Sequence, residues 1–133
     1  MITIDCGVRV VEFEKNMQLD EYVTLPSKAA LNLDGTFTFA YDYPLSKEAR
    51  FEHRVSPDMS ALDILTIARA DYERIYQEED EDVGRSTGMI PGMLNRQRSD
   101  GRWGIWGHVI DDLFFEAIQI NDVKNTIEFG IGS

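Results

Sequence analysis

Residues 60–77 read Ser60-Ala-Leu-Asp-Ile-Leu-Thr-Ile-Ala-Arg-Ala-Asp-Tyr-Glu-Arg-Ile-Tyr-Gln77, and the periodicity of this stretch decides the fold. Ala61, Ile64, Leu65, Ala68, Tyr72, Ile75 and Tyr76 recur at spacings of three and four, so they share one apolar arc of an α-helix, with Leu62 and Ile67 widening its flanks. Ser60 and Asp63 have the spacing of a capping box, in which a hydroxyl and a carboxylate satisfy free amides of the first turn. Arg69 with Glu73, and Arg74 with Glu78, add i,i+4 pairs on the wet side. The block Glu78-Glu79-Asp80-Glu81-Asp82 opposes the helix macrodipole, so the helix is expected to fray near Gln77, with Gly84 as its stop.

Upstream and downstream, the period changes from 3.6 to 2. Residues 2–14 alternate apolar and polar, with a phase slip at Val10-Val11 that predicts a bulged strand. Asp34-Gly35 between residues 29–33 and 36–43 predicts a two-residue hairpin, and its second arm places Phe37, Phe39, Tyr41 and Tyr43 on one face. Residues 49–55 alternate again. Residues 84–101 hold glycines at 84, 88, 92 and 101 with Pro91 and no regular period, which predicts a lid-like loop. Residues 109–120 fit either helix or strand; a strand from about Leu113, turned at residues 121–125 into a partner at 126–131, is preferred. The expected architecture is α+β: a single domain, 1–133, in which a curved antiparallel sheet wraps one long helix.

At 133 residues such a domain buries roughly 68% of its unfolded-chain surface and needs no staple. Cys6, the only cysteine, has no partner for an internal disulfide. With neither an apolar run of about 18 residues nor a basic start leading into an apolar core, no membrane span or export signal is expected, and the cytoplasm is the expected compartment. Asp and Glu number 24 against 13 Lys and Arg, a net charge of −11. That field repels phosphate backbones and argues against nucleic acid as a partner. It suits a basic protein partner, while Arg85, Arg96, Arg98 and Arg102 leave room for an anionic small ligand near the loop.

The metal and cofactor motifs fail on spacing. Asp80, Asp82 and Gly84 resemble part of an EF-hand, but the glycine falls one place early and the twelfth position is Pro91 instead of Glu. Gly101, Gly104 and Gly107 do not have the dinucleotide spacing. Neither a metal nor a cofactor is therefore expected. Trp103 and Trp106 form an aromatic loop with these glycines, and with Arg98 and Arg102 they make a candidate recognition surface; closure of the protein's own core is the alternative. His108 precedes Asp111 and Asp112 at a spacing that can set a carboxylate against its imidazole. His53 and Glu116 interrupt apolar alternations, and together they would give a pocket of two ionisable groups suited to acid and base work.

The ending, Gly104-Ile-Trp-Gly-His-Val-Ile-Asp-Asp-Leu113 and then Ile127-Glu-Phe-Gly-Ile-Gly-Ser133, resembles uncharacterised small bacterial proteins carried on phages and integron gene cassettes. The resemblance implies an accessory, horizontally transferred role and assigns no catalytic residue. The leading expectation is a non-catalytic binding module for a protein partner or small ligand, using Trp103, Trp106, His108, Arg98 and Arg102. An enzyme or ligand pocket built on His53 and Glu116 is the second class. DNA mimicry by the acidic helix end is the third, and weakest, because a negative field alone does not reproduce phosphate spacing.

Overall fold

The capping box at Ser60 forms in both directions: the Asp63 amide donates to Ser60 Oγ at 3.3 Å, and the Ser60 amide donates to Asp63 Oδ2 at 2.9 Å. These distances come from a computed structural model of the chain, which describes residues 1–11, 28–84 and 98–133. The helix so started, α1, runs Ala61–Val83 and ends at Gly84, whose φ of 73° is the left-handed cap that a residue without Cβ adopts at little cost. It is longer than the expected 60–77. The acidic residues 78–82 stay helical because groups from a later loop neutralise and hydrogen-bond them, which offsets their unfavourable position at the macrodipole's negative end.

Among the described residues five strands make one sheet: β1 (Ile2–Arg9), β2 (Gly35–Tyr41), β3 (Ala49–Val55), β4 (Phe114–Asn121) and β5 (Thr126–Gly132), in the order β1-β4-β5-β2-β3. The fold is α+β, but the sheet is mixed. β2 lies parallel to β5, pairing Phe39 with Ile127, and every other pair is antiparallel. The expected hairpin around Asp34-Gly35 does not form. Asn32 turns the chain at a φ of 59°, and residues 30–32 bond instead to residues 57–60, through an Ala30–Ser60 bridge and Leu31 N to Met59 O at 2.9 Å. β2 therefore takes β3 and β5 as neighbours, while Asp34 pairs with Arg54 across the start of β2 and the end of β3.

In β1 the irregularity falls between Asp5 and Val8, not at Val10-Val11 as the alternation suggested. Val10 stays buried, and its amide donates to Leu113 O at 3.0 Å. The ambiguous stretch resolves into a single 3₁₀ turn, Ile110–Asp112, followed by β4, which forms the expected hairpin with β5. The ambiguous residues 17–25 and most of the expected lid lie outside the described residues.

Ile64, Leu65, Ala68, Tyr72 and Ile75 of α1 are fully buried in one core with Phe37, Phe39 and Tyr41 of β2, Phe115, Ile118 and Ile120 of β4, and Ile127 and Phe129 of β5. Each large apolar side chain so placed stabilises by about 1.5–3 kcal/mol relative to exposure. Tyr41 is the hub: its ring stacks on Phe129 at 5.4 Å and meets Tyr72 edge-on at 4.9 Å.

Candidate functional site

The glycine-tryptophan loop is strapped to the last turns of α1 by a buried carboxylate. Glu79 has no solvent exposure, and its two oxygens accept from Ser99 Oγ at 2.6 Å and from the amides of Gly101 and Trp103 at 2.9 Å, Gly104 at 3.2 Å and Ile105 at 3.3 Å. Burial alone would push this carboxyl up; the bonds from Ser99, Trp103, Gly101 and Ile105 together outweigh it and hold Glu79 below its ordinary value of 4.5. A Cβ on Gly101 would lie 2.5 Å from Glu79 Oε1, so this glycine is what allows the backbone to approach.

Arg102 grips the same helix end from outside. Its guanidinium forms a fork on Asp82, with Nε and Nη2 both at 2.9 Å, and reaches Glu78 at 3.1 Å; these bonds lower Asp82 to about 2. Arg98 pairs with Asp100 at 3.3 Å. Arg98 and Arg102, expected to receive an anionic ligand, thus each have an acid partner within the protein and remain partly exposed.

The two tryptophans divide between core and surface. Trp103 is half-buried, meets Phe51 edge-on at 5.9 Å and packs against the core, with its Nε1 shielded from water and lacking an acceptor among the described residues. Trp106 is 45% exposed, although its amide is anchored to Pro44 O at 3.2 Å. Its ring stands edge-on to Tyr43 at 6.1 Å, and Tyr43 in turn lies 5.9 Å from the imidazole of His108.

A chain of polar groups runs through this end of the molecule. Tyr43 Oη is 3.1 Å from Ser133 Oγ, Ser133 Oγ is 3.0 Å from His108 Nε2, and His108 Nδ1 is 3.5 Å from Asp112 Oδ2. The expected juxtaposition of His108 with a carboxylate therefore occurs, with Asp112 as that carboxylate. Two helix tyrosines fix the backbone here: Tyr72 donates to Tyr43 O at 2.8 Å and Tyr76 to His108 O at 2.9 Å.

His53 and Glu116 do not meet. His53 Nε2 sits 2.8 and 3.0 Å from the two oxygens of Asp71, a buried carboxylate that also accepts from Tyr41 Oη at 2.5 Å. Proximity to Asp71 adds to burial in raising the Tyr41 phenol far above its ordinary value. Glu116 sits at an irregularity between Phe115 and Ala117, which sends Phe115 and Ile118 inward and leaves Glu116 exposed. There it lies beside Cys6, whose thiol is pushed up to about 12 by burial and then by Asp5 and Glu116. The proposed shared pocket is thereby replaced by a His53–Asp71–Tyr41 cluster that links β2 and β3 to α1.

Asp71, Glu79, Tyr43 and Ser133 escaped the sequence reading. For two of them a signal existed: positions 71 and 79 continue the three-and-four spacing of Ala68, Tyr72, Ile75 and Tyr76, so each puts a carboxylate on the buried arc. The alternation of residues 36–43 gave Tyr43 a face but no polar partner, Ser133 carries no local pattern, and the two are brought together only by the chain's tertiary course.

Among the described residues no group of three or more His, Cys, Asp or Glu side chains converges as a metal site. No helix there is long and apolar enough to cross a membrane. No protein family, curated protein or solved structure matches this chain.

Proposed function

We propose that this chain is a binding module that docks a basic protein partner on the Trp106 end of the fold. The observation that carries it is Trp106 itself, an indole held out at 45% exposure on a loop that Glu79 and Pro44 hold in place. A ring pre-positioned in this way offers large contact area with little ordering left to do on binding, as an interface anchor requires. Charge supports the choice of partner. The net −11 field favours approach of a cationic surface, Asp42 and Asp111 are exposed, and Arg102 and Arg98 are neutralised by internal partners. In this reading the sheet curves around α1, which fills its concave side, so that the tyrosines of the helix reach the loop from beneath.

The test pairs the two tryptophans. Acrylamide should quench the Trp106 fraction of the fluorescence, and Trp106→Ala should leave stability within about 0.5 kcal/mol while Trp103→Ala costs about 3 kcal/mol. Titrated with an array of Lys- and Arg-rich peptides, the wild type should bind some members with an affinity that falls as salt rises, and Trp106→Ala should bind none of them. Salt-insensitive binding of uncharged small molecules instead would move the assignment to a small-ligand site. Trp106 shielded from quencher would overturn it.

A further inference from the structure

Beyond partner docking, we propose that Ser133 is a nucleophile activated by His108, forming an acyl-transfer site for small esters at the same end of the molecule. The polar chain supplies each part that such chemistry needs. Donor directions are consistent when Tyr43 Oη donates to Ser133 Oγ (3.1 Å) and Ser133 Oγ donates to His108 Nε2 (3.0 Å), with His108 Nδ1 lying 3.5 Å from the Asp112 carboxylate. A base within hydrogen-bond reach of a hydroxyl, itself oriented by a carboxylate, is the arrangement that turns a weak nucleophile into a competent one. The backbone carbonyls of Tyr43 and His108 are each held by a buried helix tyrosine, Tyr72 and Tyr76, so the two side chains are presented from fixed points. Ser133 is exposed, so an ester can reach it, and the Trp106 ring beside Tyr43 gives an apolar wall for an acyl or aryl group.

The step balances within these groups. Ser133 Oγ attacks the ester carbonyl carbon while its proton passes to His108 Nε2. Negative charge gathers on the former carbonyl oxygen, and the Tyr43 hydroxyl, released from Oγ by the attack, turns to donate to it. The C–O bond to the leaving alcohol then breaks, and that alcohol takes the proton from His108 Nε2. Water, deprotonated by the same nitrogen, attacks the carbonyl carbon of the Ser133 ester; the bond to Oγ then breaks, Oγ takes the proton back from His108 Nε2, and the acid is freed. Asp112 touches no substrate atom; it is a positioning residue for the His108 ring.

The experiment uses the full chain with p-nitrophenyl acetate as probe, read by nitrophenolate release and by peptide mass. One acetyl group per chain is expected on Ser133. Ser133→Ala, at an exposed position that leaves the core untouched, should abolish it. His108→Asn should slow acetylation about 10²-fold or more, and Tyr43→Phe by a similar factor. Asp112→Ala should slow it and Asp112→Glu should restore part of the rate, which a purely structural role would not produce. Far-ultraviolet dichroism and melting confirm that each variant is folded; if His108→Asn is not, His108→Gln takes its place. Acetylation confined to lysines, or nitrophenolate release by Ser133→Ala at the wild-type rate, overturns the proposal. So does an unchanged rate in a folded His108 variant. Peptide binding at Trp106 is read separately in Ser133→Ala, which should retain it, so failure of either proposal leaves the other standing.

Discussion

Glu79 does more for this molecule than any catalytic motif the sequence suggested. Replacing it with alanine removes the acceptor of the Gly101, Trp103, Gly104 and Ile105 amides in a site closed to water, and leaves the Ser99 hydroxyl its longer bond to Ile105 O at 3.3 Å. We expect Glu79→Ala to cost about 3–5 kcal/mol in urea unfolding, the range for breaking a buried charged network, and Glu79→Gln to cost less. The pH dependence has a definite sign. The folded carboxyl lies below its ordinary 4.5, so its contribution is fully present above that value and is lost as pH falls through the folded one. Between about pH 7 and about pH 3, wild-type stability should therefore fall more steeply than that of Glu79→Gln. Parallel curves would show that the carboxylate carries no such linkage. Legibility at this scale was partial: the His108–Asp112 pair followed from local spacing, the two tryptophans were left open between surface and core, and the Asp71 partner of His53 required extending the helical arc past a charged residue.

At the scale of elements, α1 was the most legible part because its stabilisation is local: a capping box, one apolar arc and two i,i+4 pairs, Arg69–Glu73 and Arg74–Glu78, all present. Its C-terminal extension was not legible, since the groups that hold residues 78–82 helical come from a loop some twenty residues later. The strand at 49–55 and the β4–β5 hairpin were readable from alternation and turn chemistry. The Asp34-Gly35 signal misled because a hairpin also needs its first arm, and Asn32 turns that arm toward residues 57–60. The helix face can be checked directly. Leu65 is fully buried, so Leu65→Ala should cost about 2–5 kcal/mol, whereas Arg74, over the Phe51 ring at 4.3 Å yet largely exposed, should cost under about 1 kcal/mol on truncation. Similar thermal shifts for both would mean that the buried arc has been misassigned.

For the molecule as a whole, the sheet order β1-β4-β5-β2-β3 makes half of the described strand pairings remote. β1 pairs with β4, setting Ile2 against Ile120, and β5 comes back to lie parallel to β2, setting Thr126 against Thr38. Only β2–β3 and β4–β5 join strands that follow one another in the chain. Topologies of this kind fold in milliseconds to seconds because long loops must close before their contacts repay the entropy, and we expect stopped-flow refolding in that range. Relaxation in microseconds would contradict the strand order. No alternation pattern could have announced the parallel pair, since period-2 spacing says which face a residue takes and is silent on its neighbour.

The β1–β4 pairing also bears on how the chain is made. On a ribosome β1 emerges before the other described strands, and its sheet neighbour among them, β4, is synthesised more than a hundred residues later. Until residues 114–121 leave the exit tunnel, β1 has none of the described strands to join, while β2, β3 and α1 are already available to one another. The described sheet can close only once β4 is out of the tunnel, and a nascent chain stalled before β4 would carry β1 as an open invitation to aggregation or to a chaperone.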